Sequence, residues 1–196
     1  MRKITLLAVS LLTFASVLFP QENEPLCDID GDGLEDSVVL DTTRFVIVCR
    51  LSSHNYEPME SLPLETYGDH DFISCCEGGF DYDTNWMRAG ASRSFMYDAE
   101  KRKIRLVSIS RYELGNAVND GSGDSGINLL TGKYRGEWNH FDYEKEELVS
   151  LPGIETNMYF PAVYLEDFDD SVYFEYAERC AALYSKEVET YEQNNK

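Results

Sequence analysis

From Ser37 to Leu151 the apolar residues fall at alternate positions or in short β-branched runs, the period of two that marks half-buried strands. Val38, Val39 and Leu40 predict a short strand, Asp41-Thr42-Thr43 a turn and Phe45 to Leu51 the return, which makes a first hairpin. Ser52 to Thr84 reads as loop-rich, with regular structure expected to be sparse. Trp86 to Tyr97 and Ile104 to Tyr112 flank the charged turn Asp98 to Lys103, a second hairpin. Ile127 to Leu130, Tyr134 to Phe141 and Glu147 to Leu151 predict a three-stranded meander. The period then lengthens. Val172, Tyr176, Cys180, Leu183, Tyr184, Val188 and Tyr191 recur at helical spacing behind Asp169, Asp170 and Ser171, which offer cap and anion character to a helix over about 171–192. The pattern as a whole predicts a mainly β fold of antiparallel hairpins and a meander, as a small sandwich, barrel or partial propeller-like sheet, with one C-terminal amphipathic helix packed on it.

The head of the chain follows neither period. Arg2 and Lys3 precede the apolar stretch Ile4 to Phe19, and the polar run from Pro20 to Pro25 follows it. That is the layout of a secretory signal, with Thr13-Phe14-Ala15 as a small-x-small cleavage site, and sixteen apolar-stretch residues fall short of the roughly 20 a membrane span needs. The expected division is therefore a signal peptide over residues 1–20 and a single domain over 21–196, in the periplasm or outside the cell, with no membrane span in the mature form. Removing the first 20 residues takes away two basic and no acidic side chains, which leaves 15 Lys+Arg against 36 Asp+Glu and a net charge of −21. Such a charge repels phosphate and argues against nucleic acid as a partner. The 13 Tyr, 10 Phe and two Trp exclude a disordered tail.

An oxidising compartment gives the cysteines a meaning. Cys27, Cys49, Cys75, Cys76 and Cys180 are odd in number, so at least one thiol stays unpaired or pairs with another chain. The expected disulfide joins Cys180, near the C-terminus, to Cys75 or Cys76. Zinc is disfavoured because neither a C-x2-C spacing nor a suitably placed His is present, and Glu24-Pro25-Leu26 ahead of Cys27 argue against lipidation there.

One segment carries definite chemistry. Asp28-Ile29-Asp30-Gly31-Asp32-Gly33-Leu34-Glu35-Asp36 places carboxylates at positions 1, 3, 5 and 9 of a loop and a Gly at position 6. A hard cation that takes 6 to 8 oxygens needs the chain to curl around it, and alternating Asp side chains converge only where Gly permits the turn. The twelfth position, where an EF-hand has its bidentate Glu, is Val39, and the flanks are strand-like, so the segment is not an EF-hand. It resembles the D-x-D-G-D-G-x-x-D loop of FG-GAP/VCBS-type repeats, in which a calcium loop leads into a β-strand. The resemblance implies calcium as cofactor, with Asp28, Asp30, Asp32 and Asp36 ligating through side chains and Leu34 through its carbonyl. Those families repeat the unit, whereas this chain has one copy. More distantly, the single loop joined to β-meanders is similar to secreted bacterial proteins of the lysozyme-inhibitor or immunity kind.

Gly123-Asp124-Ser125-Gly126 reproduces the nucleophile tetrad of chymotrypsin-like proteases, but His140 follows the serine, and neither His54 nor His70 sits in the setting of a catalytic base. The tetrad reads better as part of a loop from Gly115 to Gly126. The expectation is a non-enzymatic, calcium-stabilised binding protein. Three alternatives stand beside it: an inhibitor or immunity protein that steers a basic cell-wall hydrolase onto the loop from Glu113 to Ser125, a carbohydrate-binding module with Trp86 or Trp138 as stacking platform, and a hydrolase using Ser125 and His140.

Overall fold

The computed structural model describes residues 26–65 and 70–195, so the expected signal segment, 1–20, lies outside the described residues. Twelve strands and one long helix follow in chain order: β1 Leu26–Cys27, β2 Asp36–Asp41, β3 Val46–Arg50, β4 Pro58–Glu60, β5 His70–Cys76, β6 Gly79–Trp86, β7 Ala89–Asp98, β8 Lys103–Glu113, β9 Gly123–Asn128, β10 Lys133–Asp142, β11 Glu147–Ser150, β12 Ile154–Asn157 and α1 Ser171–Asn194. β1 to β4 form a small sheet in sequential order, and β5 to β11 run sequentially through a larger antiparallel one. β12 joins that sheet at β10: Lys133 to Gly136 of β10 pair with β12 and Asn139 to Asp142 with β11. Among the described residues no helix is long and apolar enough to cross a membrane.

The expected hairpins, meander and helix are present, but two loop expectations fail. Ser52 to Thr84, expected to be loop-rich, holds β4, β5 and most of β6. Along β6, Phe80, Tyr82 and Thr84 are buried while Asp81, Asp83 and Asn85 alternate with them toward solvent. A strand with acids on its open face has low mean hydropathy and reads like a loop. The other failure concerns the tetrad region, where residues 123–126 belong to β9 and only 114–122 form a loop.

The disulfide also differs from the expected one. Cys27 of β1 pairs with Cys75 of β5 at a Cα separation of 5.9 Å and ties the small sheet to the large one. Cys180 is a buried free thiol on α1, with its sulfur 3.6 Å from the Ser125 hydroxyl. Its place in the helical stripe is that of a small apolar side chain.

The small sheet and α1 both cover the same face of the large sheet. The core between them contains Phe80 stacked on Phe95 at 5.0 Å and Phe168 edge-on to Phe95 at 5.0 Å. α1 buries Val172, Tyr176 and Cys180 of the expected stripe and Tyr173 besides, while Leu183, Tyr184, Val188 and Tyr191 are half-buried. Both tryptophans belong to this layer: Trp138 is buried, and Trp86 stacks on Tyr173 with ring centroids 5.8 Å apart. Neither offers the exposed platform expected of a carbohydrate module.

A buried ion pair sits where the layers meet. Arg93 and Asp170 are both fully buried, with Nη2 3.5 Å from Oδ1. The guanidinium lies over the rings of Tyr82 and Tyr173, and its Nη1 donates to Thr84 Oγ1 at 2.7 Å. Asp170 is the residue ahead of α1, yet its side chain does not cap the helix; its Oδ2 accepts the Glu65 N–H at 2.8 Å. Asp169 takes the first-turn role and accepts the Ser171 N–H at 2.9 Å.

The far end of α1 is held by two further acids. Asp120 Oδ1 accepts from the Phe141 N–H, the Tyr184 hydroxyl and the His140 ring nitrogen at 2.8, 2.9 and 3.0 Å. Burial pushes the Asp120 carboxyl up, but those three donors outweigh it and leave it below the ordinary carboxylate value. The Lys145 N–H and Nζ, with the Tyr191 hydroxyl, hold the Asp142 carboxyl down at about 2.

Two predictions follow from these pairs. Asp170→Ala leaves the Arg93 charge buried without its carboxylate and should cost about 3–5 kcal/mol in denaturant unfolding, an expectation checked by the midpoint at unchanged slope. Asp120 and Asp142 have folded values below an unfolded value of about 3.9, so their contribution is complete above about pH 4 and is lost as pH falls toward 2. Melting temperatures measured from pH 6 down to 2 should drop over that window, with a smaller drop in Asp142→Asn.

Candidate metal centre

The acidic segment closes on itself because Cys27, the residue before it, is the ladder partner of Asp36, its last residue, at the start of the β1–β2 ladder. The turn between them needs left-handed backbone at Gly31 (φ +77°) and Gly33 (φ +83°). A Cβ at either would meet nothing within 4 Å, so it is the backbone angle and not lack of space that requires glycine.

Most of the carboxylate oxygens fasten the loop. Asp28 Oδ1 and Oδ2 accept the N–H groups of Gly31 at 2.8 Å and Gly33 at 3.0 Å. Asp32 Oδ1 accepts the Leu34 N–H at 2.8 Å, and its Oδ2 takes the Ser52 hydroxyl at 2.7 Å. Asp30 accepts the Ser53 hydroxyl. Asp36 is fully buried; its Oδ2 takes the Ile29 N–H at 2.7 Å and its Oδ1 the Ser52 N–H at 2.7 Å. Ser52 and Ser53, in the turn after β3, thus form the far wall of the loop. Their arrival depends on the β2–β3 hairpin, and no local spacing in the sequence signals it.

Of the four expected carboxylate ligands, the fold brings three together: one carboxylate oxygen each from Asp28, Asp30 and Asp36, all within 4.8 Å of one another. Asp32 is turned toward Ser52, outside that group. Leu34 stands on the exposed outer turn, with its N–H given to Asp32. Among the described residues no Lys or Arg forms an ion pair with Asp28, Asp30, Asp32 or Asp36. Like charges at that separation repel by about 1 kcal/mol per pair in watery surroundings and by several times more when partly buried. Three clustered carboxylates with hydroxyl groups beside them and no counter-charge suit a hard, oxygen-seeking divalent cation.

The serine of the protease-like tetrad has no histidine. Ser125 is buried beneath α1, its hydroxyl 2.8 Å from that of Tyr176, while the His140 ring meets Asp120. His54 lies edge-on to Tyr97, and His70 is exposed at the start of β5.

The two duties of the loop acids separate by substitution. In the presence of chelator, Asp36→Ala should still cost about 3 kcal/mol, because the Ile29 and Ser52 N–H groups lose their acceptor. Asp30→Ala, which loses an exposed Ser53 hydroxyl contact and a long Asp32 N–H contact at 3.3 Å, should then stay within about 0.5 kcal/mol of the parent; urea midpoints in chelator check both.

No family model, curated protein or solved structure matches the chain.

Proposed function

We propose that this chain is an exported, calcium-stabilised protein of the periplasm or cell exterior that acts by binding rather than by catalysis. The observation that carries the reading is the convergence of Asp28, Asp30 and Asp36 without a counter-charge at the root of the small sheet. A cation there would hold β1 against β2 one residue from Cys27, whose disulfide joins the small sheet to the large. Metal and disulfide would then act on the same short segment. The disulfide is in keeping with an oxidising compartment, and the apolar stretch Ile4 to Phe19 behind Arg2 and Lys3 with export.

A second reading, inhibition of or immunity to a basic cell-wall hydrolase, draws on the 114–122 loop. Arg88 reaches into it, donating to the carbonyls of Gly115, Leu114 and Asn116 at 2.9, 2.8 and 3.0 Å. Asn116 Oδ1 accepts the N–H groups of Val118 and Asp120 at 3.0 and 3.1 Å. A loop held this firmly has little entropy left to lose on entering a cleft, and it displays Leu114 and Val118 at its surface. The surplus of acids would speed encounter with a cationic enzyme.

Calcium at a hundredfold excess over its dissociation constant should stabilise the purified protein by about 2.7 kcal/mol and raise its melting temperature by several degrees, and chelator should reverse this. Asp30→Ala should melt identically with calcium and with chelator. A wild-type curve indifferent to both, with no metal in the purified protein, would remove the calcium reading. For the second reading, loss of lysozyme-type activity on mixing, relieved by 0.5 M salt and by Leu114→Asp, is the expected result.

A further inference from the structure

One face of the large sheet is turned away from both the small sheet and α1, and we propose that this face binds a neutral saccharide around Tyr112. The proposal rests on the binding reading above and names its ligand class.

Strand registers set the surface. Asn85, Gly90, Tyr112 and Asp124 stand side by side across β6, β7, β8 and β9. In the next row Asp83, Ser92, Ser110 and Gly126 do the same, with exposed Phe72 of β5 at one end. Tyr112 does not stand up from the sheet. Its hydroxyl lies 3.1 Å from Asn85 Oδ1, two strands away, so the side chain lies across β7. A Cβ at Gly90 would come within 2.3 Å of Tyr112 Cε1, so only glycine leaves room for the ring to lie down. The ring is fixed at both ends and 42% exposed.

Beside the ring, a cleft of about 330 Å³ has Ser92 and Ser110 on its floor and Asp83 and Asp124 at its rim. A second facing pair, Ser94 and Ser108, lies in the next row of the same face, outside the cleft. The β-branched residues that best stabilise strands are missing from these four central positions, which keeps the floor low beside the ring. Among the described residues, the Ser92 and Ser110 hydroxyls and the Asp124 carboxylate form no side-chain hydrogen bond, so all are open to a ligand.

These groups select the occupant. A pyranose ring has a C–H face that stacks on an aromatic ring and a rim of hydroxyls that donate to carboxylates. Arg111 is the one basic residue lining the cleft, and its guanidinium goes to the opposite face, where Nη1 donates to the Ala177 carbonyl of α1; Arg135, beside Gly126 on β10, is paired with Glu137. Carboxylates without a cation disfavour uronates and phosphates, and a serine floor offers no pocket for apolar peptide side chains.

Native affinity electrophoresis of the purified protein, at fixed calcium, tests the proposal with xylan, galactomannan and mixed-linkage β-glucan as neutral probes and polygalacturonate as the anionic one. Retardation by at least one neutral polymer and none by polygalacturonate is expected. Tyr112→Ala and Ser110→Trp, the second of which fills the cleft, should each weaken binding at least ten-fold, while Tyr112→Trp retains it. Asp124→Asn, at an exposed position without a partner, keeps the fold and should bind less tightly. No retardation by any neutral polymer, retardation by polygalacturonate alone, or binding unaltered in Tyr112→Ala, Ser110→Trp and Asp124→Asn would overturn it. Calcium-dependent melting is read on the same samples, so a protein that calcium stabilises but that ignores every saccharide loses this proposal and keeps the calcium reading.

Discussion

The buried pair of Arg93 and Asp170 is the junction on which the three parts of the fold depend. Arg93 belongs to β7, near the middle of the large sheet, Asp170 leads into α1, and the Glu65 N–H that Asp170 accepts lies on the chain leaving the small sheet. An uncompensated charge at this depth would be untenable, so sheet, helix and connecting segment must arrive together. Tyr82 and Tyr173 close over the guanidinium from two sides and keep it dry. A hydrophobic group could fill the same volume, but it would not fix the direction in which α1 leaves. With that start set, Tyr176, Tyr184 and Tyr191 meet Ser125, Asp120 and Asp142 in turn along the sheet.

How legible this was in the sequence depends on how far each signal reaches. The hairpin β2–β3, the charged turn between β7 and β8 and the helical stripe from Val172 are local, and their periods announce them. β6 was hidden because Asp81, Asp83 and Asn85 make its open face as polar as a loop, although Phe80, Tyr82 and Thr84 keep the alternation. Disulfide partners are chosen by tertiary distance, and Cys27 meets Cys75 across 48 residues only because two sheets stack. Arg93 looked like any surface arginine in a strand; nothing nearby in sequence says that residue 170 will face it.

The acidic loop shows the same division. Asp28, Asp30 and Asp36 were legible as a group because the turn that joins them is encoded within nine residues, two of them glycines held at positive φ. The diversion of Asp32 to Ser52 was not, since Ser52 reaches the loop by way of β3. Asp36 combines two duties: buried and with both oxygens holding backbone N–H groups, it organises the turn before any ion is considered. Should a cation bind, it would meet a loop already folded, so its free energy would go into stability and not into ordering the chain.

The division of labour between the two faces of the large sheet bears most directly on function. On the covered face, aromatic residues, a buried ion pair and a helix pack against one another, and even Ser125 and Cys180 have partners there. On the open face the polar groups of Ser92, Ser110 and Asp124 stay unspent, and the ring of Tyr112 is held flat over a glycine instead of being free to move. An antiparallel sheet can leave one face to water at little cost when that face is merely polar. Fixing an exposed aromatic ring by a glycine beneath it and a hydrogen bond at its tip goes beyond what solvation requires. Gly90 weakens β7 by removing a side chain that would pack against its neighbours, a loss of about 0.5–1 kcal/mol that the open ring does not obviously return in the isolated protein. Rigidity obtained at a cost in the free state lowers the entropy lost on binding, which is where such an arrangement gains its advantage.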